Sequence, residues 1–206
     1  MIVFRYTKLD GAEYVSHLDM LRHLNKIMRR AQIPMGYSQG YNPHMHIFMS
    51  APIGVGLKSE AEYCCIESNE DASVFMQKFN QSTFKGLNCV SAVNVSKKIS
   101  VAGLINRASY EMYGVNHFDV EQILSDEELS MANKKGEVKK IRHKIFDMHF
   151  EGEVLCCTLG FGNDTLRADL FLAELVKRFG GKDVDLVKKE CFIDETPFDD
   201  YLKNLK

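Results

Sequence analysis

The sequence predicts an α+β protein built from two ferredoxin-like subdomains, residues 1–97 and 108–206, each with a β-α-β-β-α-β order and an antiparallel sheet. Three observations support this fold class. Strand-like and helix-like segments follow one another in that order in the first half, and a similar succession occupies the second half. The chain of 206 residues is long enough for two small domains. Hydrophobic residues make up 45% of it, which is typical of a globular protein with a buried core.

The first half is predicted to contain four strands and two helices. β-branched and aromatic residues over 2–8 predict a strand. Apolar residues recur every three or four positions from Ser16 to Gln32, which predicts a helix with Ser16 as its N-cap and Asp19 completing the capping box. The remaining predicted elements are a loop over 36–44, strands over 46–51 and 61–67, a helix over 71–81 and a strand over 87–95.

The second half follows a predicted boundary at residues 96–107. Its apolar helix over 166–179 is expected to end at a C-cap formed by Gly180 and Gly181. The other predicted elements are strands over 109–115, 128–132, 145–150, 153–160 and 184–193, a short helix over 120–125, a polar turn over 134–137, and a tail over 195–206 with one helical turn.

Charge and hydropathy limit the function classes. No apolar run approaches the ~20 residues of a membrane-spanning helix, and the N-terminus lacks the apolar stretch of a signal peptide, so we expect a cytoplasmic protein with no membrane partner. The net charge of −2 is not that of a protein that binds nucleic acid through its overall charge, and no DNA partner is predicted. Up to position 60, however, seven basic residues against four acidic ones give +3, which suits a local anionic ligand.

The cysteine pattern predicts reduced thiols, most of them buried, and no cofactor or metal held by the chain itself. None of the six cysteines lies in a C-x-x-C motif, and the C-x-x-x-C-x-x-C run of a radical S-adenosylmethionine (SAM) cluster is absent. His44 and His46 form an H-x-H pair that could hold a metal together with His17 or Glu62. Such pairs are common by accident, and we do not predict a metal from this one.

The predicted first helix and the loop after it carry the residues that suit an anionic ligand. Arg22, Lys26 and Arg29 form one stripe that could bind phosphates, although such a stripe is more often a solvated helix face. The loop offers tyrosine rings for stacking on unpaired bases and glycines that let N–H groups converge on an anion. The predicted binding residues are Ser16, His17, Asp19, Arg22, Lys26, Arg29, Arg30, Tyr37, Ser38, Gln39, Gly40, Tyr41, Asn42, Pro43 and Glu62.

The same stretch carries motifs in a specific order. They are Ser16-His17-Leu18-Asp19, Arg22, Arg29-Arg30, Pro34, Tyr37-Ser38-Gln39-Gly40-Tyr41-Asn42-Pro43, Pro52, Gly54, Gly56, Ser59-Glu60 and Glu62. In these residues the chain resembles the DUF2344 domain, also described as a radical SAM-associated protein, most strongly over about the first seventy residues. The resemblance implies a partner more than a reaction: a radical SAM protein would supply the iron–sulfur cluster and the S-adenosylmethionine. It also implies a role in RNA or ribosome metabolism.

Three functional hypotheses follow. The first is a non-catalytic accessory module that binds RNA, or an RNA–protein surface, for a separate radical SAM enzyme. The second is an RNA-processing or RNA-modifying enzyme that needs no metal and uses His17, Tyr37 and Ser38. The third is a protein–protein interaction module, since tyrosine and arginine are also enriched at protein interfaces. The sequence favours the first because no acid–base pair stands out in it.

Overall fold

The computed structural model describes residues 1–132 and 136–205. In the first half it confirms the predicted order of strands and helices. The strands are β1 (Ile2–Lys8), β2 (Ile47–Met49), β3 (Lys58–Ile66) and β4 (Cys89–Asn94). The helices are α1 (His17–Arg30) and α2 (Ala72–Ser82). β3 begins earlier than predicted because its first residues pair with a strand from the second half.

The second half has more elements than the sequence predicts. Its strands are β5 (Arg107–Val115), β6 (Ser130–Ala132), β7 (Val138–Lys140), β8 (Ile145–Glu151), β9 (Val154–Gly160), β10 (Gly181–Ile193) and β11 (Thr196–Pro197). Its helices are α3 (Val101–Leu104), α4 (Val120–Leu124), α5 (Ala168–Phe179) and α6 (Phe198–Lys203). The short elements α3, β7 and β11 were not predicted. Lys134 and Lys135 of the predicted polar turn lie outside the described residues.

One sheet passes through both halves. The α+β class is confirmed, but two separate ferredoxin-like subdomains are not. Each half does show the strand order of a β-α-β-β-α-β unit, β4-β1-β3-β2 in the first and β10-β5-β9-β8 in the second, with antiparallel pairing within each. The two units merge because β10 also pairs in parallel with the start of β3, where Val187 lies beside Lys58 and Lys188 beside Ser59.

Helices cover the buried faces of this sheet, and in the first half both faces are buried. α1 and α2 pack on the first half, where the Phe4 ring of β1 lies 4.9 Å from Phe75 and 5.4 Å from Phe79 of α2, measured between ring centroids. α5 packs on β5 and β10, and its Phe171 and Leu175 are buried there. Burial of each such aromatic or aliphatic side chain contributes roughly 1.5–3 kcal/mol. Among the described residues, no helix has the length and apolar character needed to cross a membrane.

Arg5 connects the two halves through hydrogen bonds and ion pairs. Its guanidinium donates to the backbone carbonyl of Glu60 on β3 (2.8 Å) and to that of Lys189 on β10 (2.7 Å). It also pairs with the carboxylates of Glu190 (2.7 Å) and Asp199 (3.2 Å). The guanidinium has five N–H donors in a fixed fork, so one side chain can bridge two strands and the N-terminal turn of α6.

The predicted N-cap of α1 is confirmed. The Ser16 side chain accepts a hydrogen bond from the Asp19 N–H (3.2 Å), and its hydroxyl donates to the Asp19 carboxylate (2.7 Å). We expect Ser16→Ala to lower the free energy of unfolding by about 1 kcal/mol, because an N–H group of the first turn loses its partner. Urea denaturation measures this change. Ser16→Asn is the control, because asparagine caps as well as serine, and an equal loss in both variants would contradict a capping role.

Candidate functional site

The predicted loop is a short hairpin fixed to the end of β3. The Gly36 N–H donates to the Glu67 carbonyl (2.7 Å), and the His46 N–H donates to the Gly36 carbonyl (3.0 Å). Nearer the tip, the Ser38 N–H donates to the His44 carbonyl (2.9 Å), and Ser38 Oγ accepts from the His44 N–H (2.9 Å). The base of the loop is therefore ordered by backbone bonds, and Ser38 has a structural role in it.

The tip of the loop projects into solvent. Tyr41 is fully exposed and Tyr37 is 45% exposed, so neither ring is packed away beneath the loop. Gln39, Asn42 and Pro43 are exposed as well. Gly40 has a φ of 122°, a conformation that disfavours residues with a side chain, and this turn places Tyr41 at the tip. The Tyr41 ring is therefore exposed to water, and packing against the described residues does not account for its position.

The basic residues of α1 differ in how they are paired. Arg22 pairs with Asp19 (2.7 Å), and Arg30 donates to the Ser82 carbonyl at the end of α2 (2.6 Å). Lys26 and Arg29 are exposed and form no ion pair within the described residues. They lie on the C-terminal half of α1, and residues 31–35 connect that helix to the loop. We call Lys26, Arg29, Arg30 and residues 36–44 the α1–loop surface.

The structure does not bring all the predicted site residues together. Ser16, His17 and Asp19 lie at the N-terminus of α1, a helix of 14 residues that spans about 21 Å. That end of α1 follows the end of β1 that pairs with Ser59, whereas the loop lies at the opposite end of β3, beside Ser68. His17 therefore does not meet Tyr37 or Ser38, the other two candidates for a catalytic group.

Glu62 is not part of the α1–loop surface. Its carboxylate lies 2.5 Å from the Lys188 ammonium of β10, and the exposed fractions of the two side chains are 5% and 0%. Within the described residues no further hydrogen bond reaches Glu62 Oε1 or Lys188 Nζ. Lys8 and Glu13 are buried nearby. Burial is the largest single influence and lowers the pKa of Lys188, but the charge and hydrogen bond of Glu62, together with the nearby Cys191, hold that pKa above its ordinary value.

A cleft of about 740 Å³ opens where the two halves meet. Pro52 and Gly54 line it from the segment after β2, and Tyr110, Phe161 and Arg167 line it from the second half. Lys188 Nζ lies 4.6 Å from the centroid of the Phe161 ring, so the buried ion pair lies behind one wall of the cleft. Sequence reasoning found Glu62, Pro52 and Gly54 but missed their partners, because no local pattern links them to β10.

The histidine pair of the loop does not assemble the metal site considered above. His46 Nδ1 is bonded to the Glu67 carboxylate, and His44 is exposed in the loop. His17 lies at the other end of α1, and Glu62 is already paired with Lys188. Five of the six cysteines are buried, as predicted. Burial raises the pKa of Cys64 and Cys157, so these thiols stay protonated at neutral pH.

Comparison with known proteins gives one result that covers most of the chain. The family described as "uncharacterized protein conserved in bacteria (DUF2344)" matches residues 1–173. The match includes the whole α1–loop surface, Glu62 and the cleft residues of both halves, and it ends within α5. No curated protein matches the chain.

Proposed function

We propose that this chain, which belongs to the DUF2344 family, is a non-catalytic accessory module that binds single-stranded RNA through the α1–loop surface and works with a separate radical SAM enzyme. The observation that carries the proposal is the full exposure of Tyr41 at the tip of an ordered loop. Every base has a π face, so an exposed aromatic ring can bind single strands of varied sequence by stacking.

The unpaired charges on α1 support the same ligand. Lys26 and Arg29 have no ion-pair partner within the described residues, so their charges are available to phosphates. Arg29 can contact a phosphate through two parallel N–H bonds, and Lys26 acts as a point charge. In the proposed complex, a strand stacked on Tyr41 extends to the C-terminal half of α1, which precedes the loop in the chain. The ring and the cations thus suit the two parts of a nucleotide.

The placement of the candidate catalytic groups favours binding over chemistry. A self-sufficient enzyme built on His17, Tyr37 and Ser38 would need these groups within hydrogen-bonding reach of one substrate. His17 lies at the far end of α1, and Ser38 Oγ already accepts a bond from the backbone of His44. A separate catalyst is therefore part of the proposal. The resemblance to radical SAM-associated proteins supports an enzyme of that class as the catalyst.

Neutralising the two unpaired cations is expected to reduce the salt dependence of RNA binding. Each phosphate contact on a single strand contributes about 0.7 to the slope of log K against log salt concentration, so Lys26→Gln/Arg29→Gln should lower that slope by about 1.4. Fluorescence anisotropy with a labelled single-stranded RNA of random sequence measures the slope. Lys177→Gln, an exposed lysine on α5, is the matched control and should leave the slope unchanged.

An equal slope for the double variant and the wild-type protein would contradict a phosphate contact at Lys26 and Arg29. Absence of RNA binding by the wild-type protein, together with capture of a protein partner that the double variant loses, would assign the α1–loop surface to a protein interface. Turnover of RNA by the purified chain, with loss of turnover in His17→Ala, would favour the catalytic alternative.

A further inference from the structure

A row of histidine, cysteine and carboxylate side chains crosses the outer face of the second half. In β5 and β9, alternate residues are buried in the core, and the residues between them lie on the opposite, more exposed face. On that face His149 of β8 lies directly opposite Cys156 of β9, and Cys156 lies opposite Glu111 of β5. Opposed residues on neighbouring strands have Cβ atoms about 4.5–5.5 Å apart, so their side chains can share one ligand.

Three donor atoms of this row converge. The ligand atoms of His149, Glu151 and Cys156 all lie within 4.8 Å of one another, the only such set among the residues that the structure describes. His149 Nε2 lies 3.3 Å from Glu151 Oε1. Glu111 does not join the set, because its carboxylate accepts a bond from the Tyr113 hydroxyl (2.5 Å) and lies 3.6 Å from the Lys189 ammonium.

The imidazole of His149 is already oriented for a metal. Its Nδ1 lies 3.0 Å from the Asp147 carboxylate, which accepts a hydrogen bond from it, and Nε2 lies 3.3 Å from Glu151 Oε1. A carboxylate that holds the distal nitrogen of a histidine ligand is the usual outer partner in zinc sites, since it fixes the ring and raises the basicity of the ligating nitrogen.

We propose that His149, Glu151 and Cys156 bind a Zn²⁺ ion. Nitrogen, carboxylate oxygen and thiolate sulfur are the donors that Zn²⁺ takes, at about 2.0–2.3 Å. Tetrahedral coordination brings donor atoms to about 3.5 Å from one another, so these three side chains, with donor atoms 4.8 Å apart or less, need only small rotations. The Cys156 thiol releases its proton to solvent as the sulfur–zinc bond forms. Three protein ligands leave a fourth position for water or for a group on a partner.

The difference between Cys156 and the other five cysteines supports this assignment. Cys156 is the one thiol of the six that is not buried, and it lies between an imidazole and carboxylates. A free thiol on a surface is prone to oxidation and is usually avoided. A role as a metal ligand explains why Cys156 is not buried and why histidine and carboxylate side chains surround it. This site lies on β8 and β9, away from the α1–loop surface, and does not depend on RNA binding.

Zn²⁺ titration of the purified full chain under a non-chelating reductant tests the site. We expect one ion per chain by calorimetry. With Co²⁺ as the probe, we expect a thiolate-to-metal charge-transfer band together with the visible bands of a tetrahedral ion. His149→Ala and Cys156→Ser should each weaken Zn²⁺ binding by more than about 100-fold, since even the loss of an outer partner of a ligand costs about 10- to 100-fold.

His143→Ala is the matched control, because His143 is also exposed and lies 3.8 Å from a carboxylate, that of Asp164, but has no cysteine beside it. It should bind Zn²⁺ as the wild-type protein does. Far-ultraviolet circular dichroism checks that each variant is folded, and Glu151→Gln provides a third variant that keeps the size of the side chain. No binding by the wild-type chain, or equal binding by the wild-type, His149→Ala and Cys156→Ser proteins, would overturn the proposal.

Discussion

Glu62→Gln is expected to lower the free energy of unfolding by about 3–5 kcal/mol, the largest loss that we predict for a single substitution in this protein. The substitution leaves the Lys188 ammonium fully buried without its counterion. It also removes the carboxylate that favours the charged form of Lys8, a buried neighbour. An amide of nearly the same size fills the space, so the loss reports the missing charge and not a cavity.

The reciprocal variant should be less harmful. Lys188→Met leaves Glu62 buried, but the carboxylate still interacts with the charge of Lys8. Replacing both members of a buried pair by apolar groups is often neutral or stabilising, so Glu62→Leu/Lys188→Met should recover most of the stability that either single variant loses. Urea denaturation of Glu62→Leu, Lys188→Met and the double variant, each compared with the wild-type protein, gives the coupling energy. Additive losses in the double variant would contradict the pairing.

The pair should also show a defined pH dependence. Glu62 holds the pKa of Lys188 above its ordinary value of about 10.5. A cation with a raised folded-state pKa contributes stability that is fully present below its unfolded-state pKa and is lost as the pH rises through the folded-state value. The stability difference between the wild-type protein and Lys188→Met should therefore be constant near neutral pH and shrink above about pH 10.5. A difference that grows with pH would contradict this sign.

Tyr41→Ala is expected to weaken binding of single-stranded RNA by about 5- to 150-fold, with no loss of stability. Stacking of one base on an aromatic side chain contributes about 1–3 kcal/mol, which corresponds to that range of affinity. The fold does not depend on the ring, because Tyr41 is fully exposed. Fluorescence anisotropy with the random-sequence RNA measures the change. Tyr41→Phe should retain most of the affinity, since the stacking face is kept.

Tyr14→Ala is the matched control for this variant. Tyr14 is 71% exposed, but it precedes α1 and lies at the end of that helix opposite the loop. We expect its loss to leave RNA affinity unchanged. Equal effects of Tyr14→Ala and Tyr41→Ala would mean that RNA contacts the protein without a preferred site, and unchanged affinity in Tyr41→Ala would remove the main support for the proposed function.

Local patterns in the sequence were sufficient to predict the elements that form the α1–loop surface. The apolar spacing and the Ser16 cap located α1, and the glycine- and asparagine-rich stretch located the loop. The exposure of Tyr41 could not be predicted, because a tyrosine in a loop can either pack beneath it or project from it. The backbone bonds at Gly36 and Ser38, together with the turn at Gly40, decide between these two outcomes.

Contacts between the halves could not be predicted from local sequence patterns. β10 pairs with β5 and with β3, and its parallel contact with β3 joins residues 58–59 to residues 187–188, which no spacing or turn signal relates. The partner of Glu62 was therefore missed, as was the row of His149 and Cys156, which depends on the register of β8 against β9. Lys188 itself, a lysine within a strand of mostly apolar residues, was the one local signal that a buried anion must lie nearby.

Binding of RNA by the α1–loop surface in the cell is the central proposal. The most direct measurement is a pull-down of the tagged full chain from its native cells, with half of the sample treated with nuclease before elution. The same pull-down with the Lys26→Gln/Arg29→Gln/Tyr41→Ala protein is the comparison. We predict that the wild-type chain enriches one class of RNA, that the variant does not, and that a radical SAM protein co-elutes only without nuclease. A protein partner that survives nuclease, with no RNA enriched, would contradict the account.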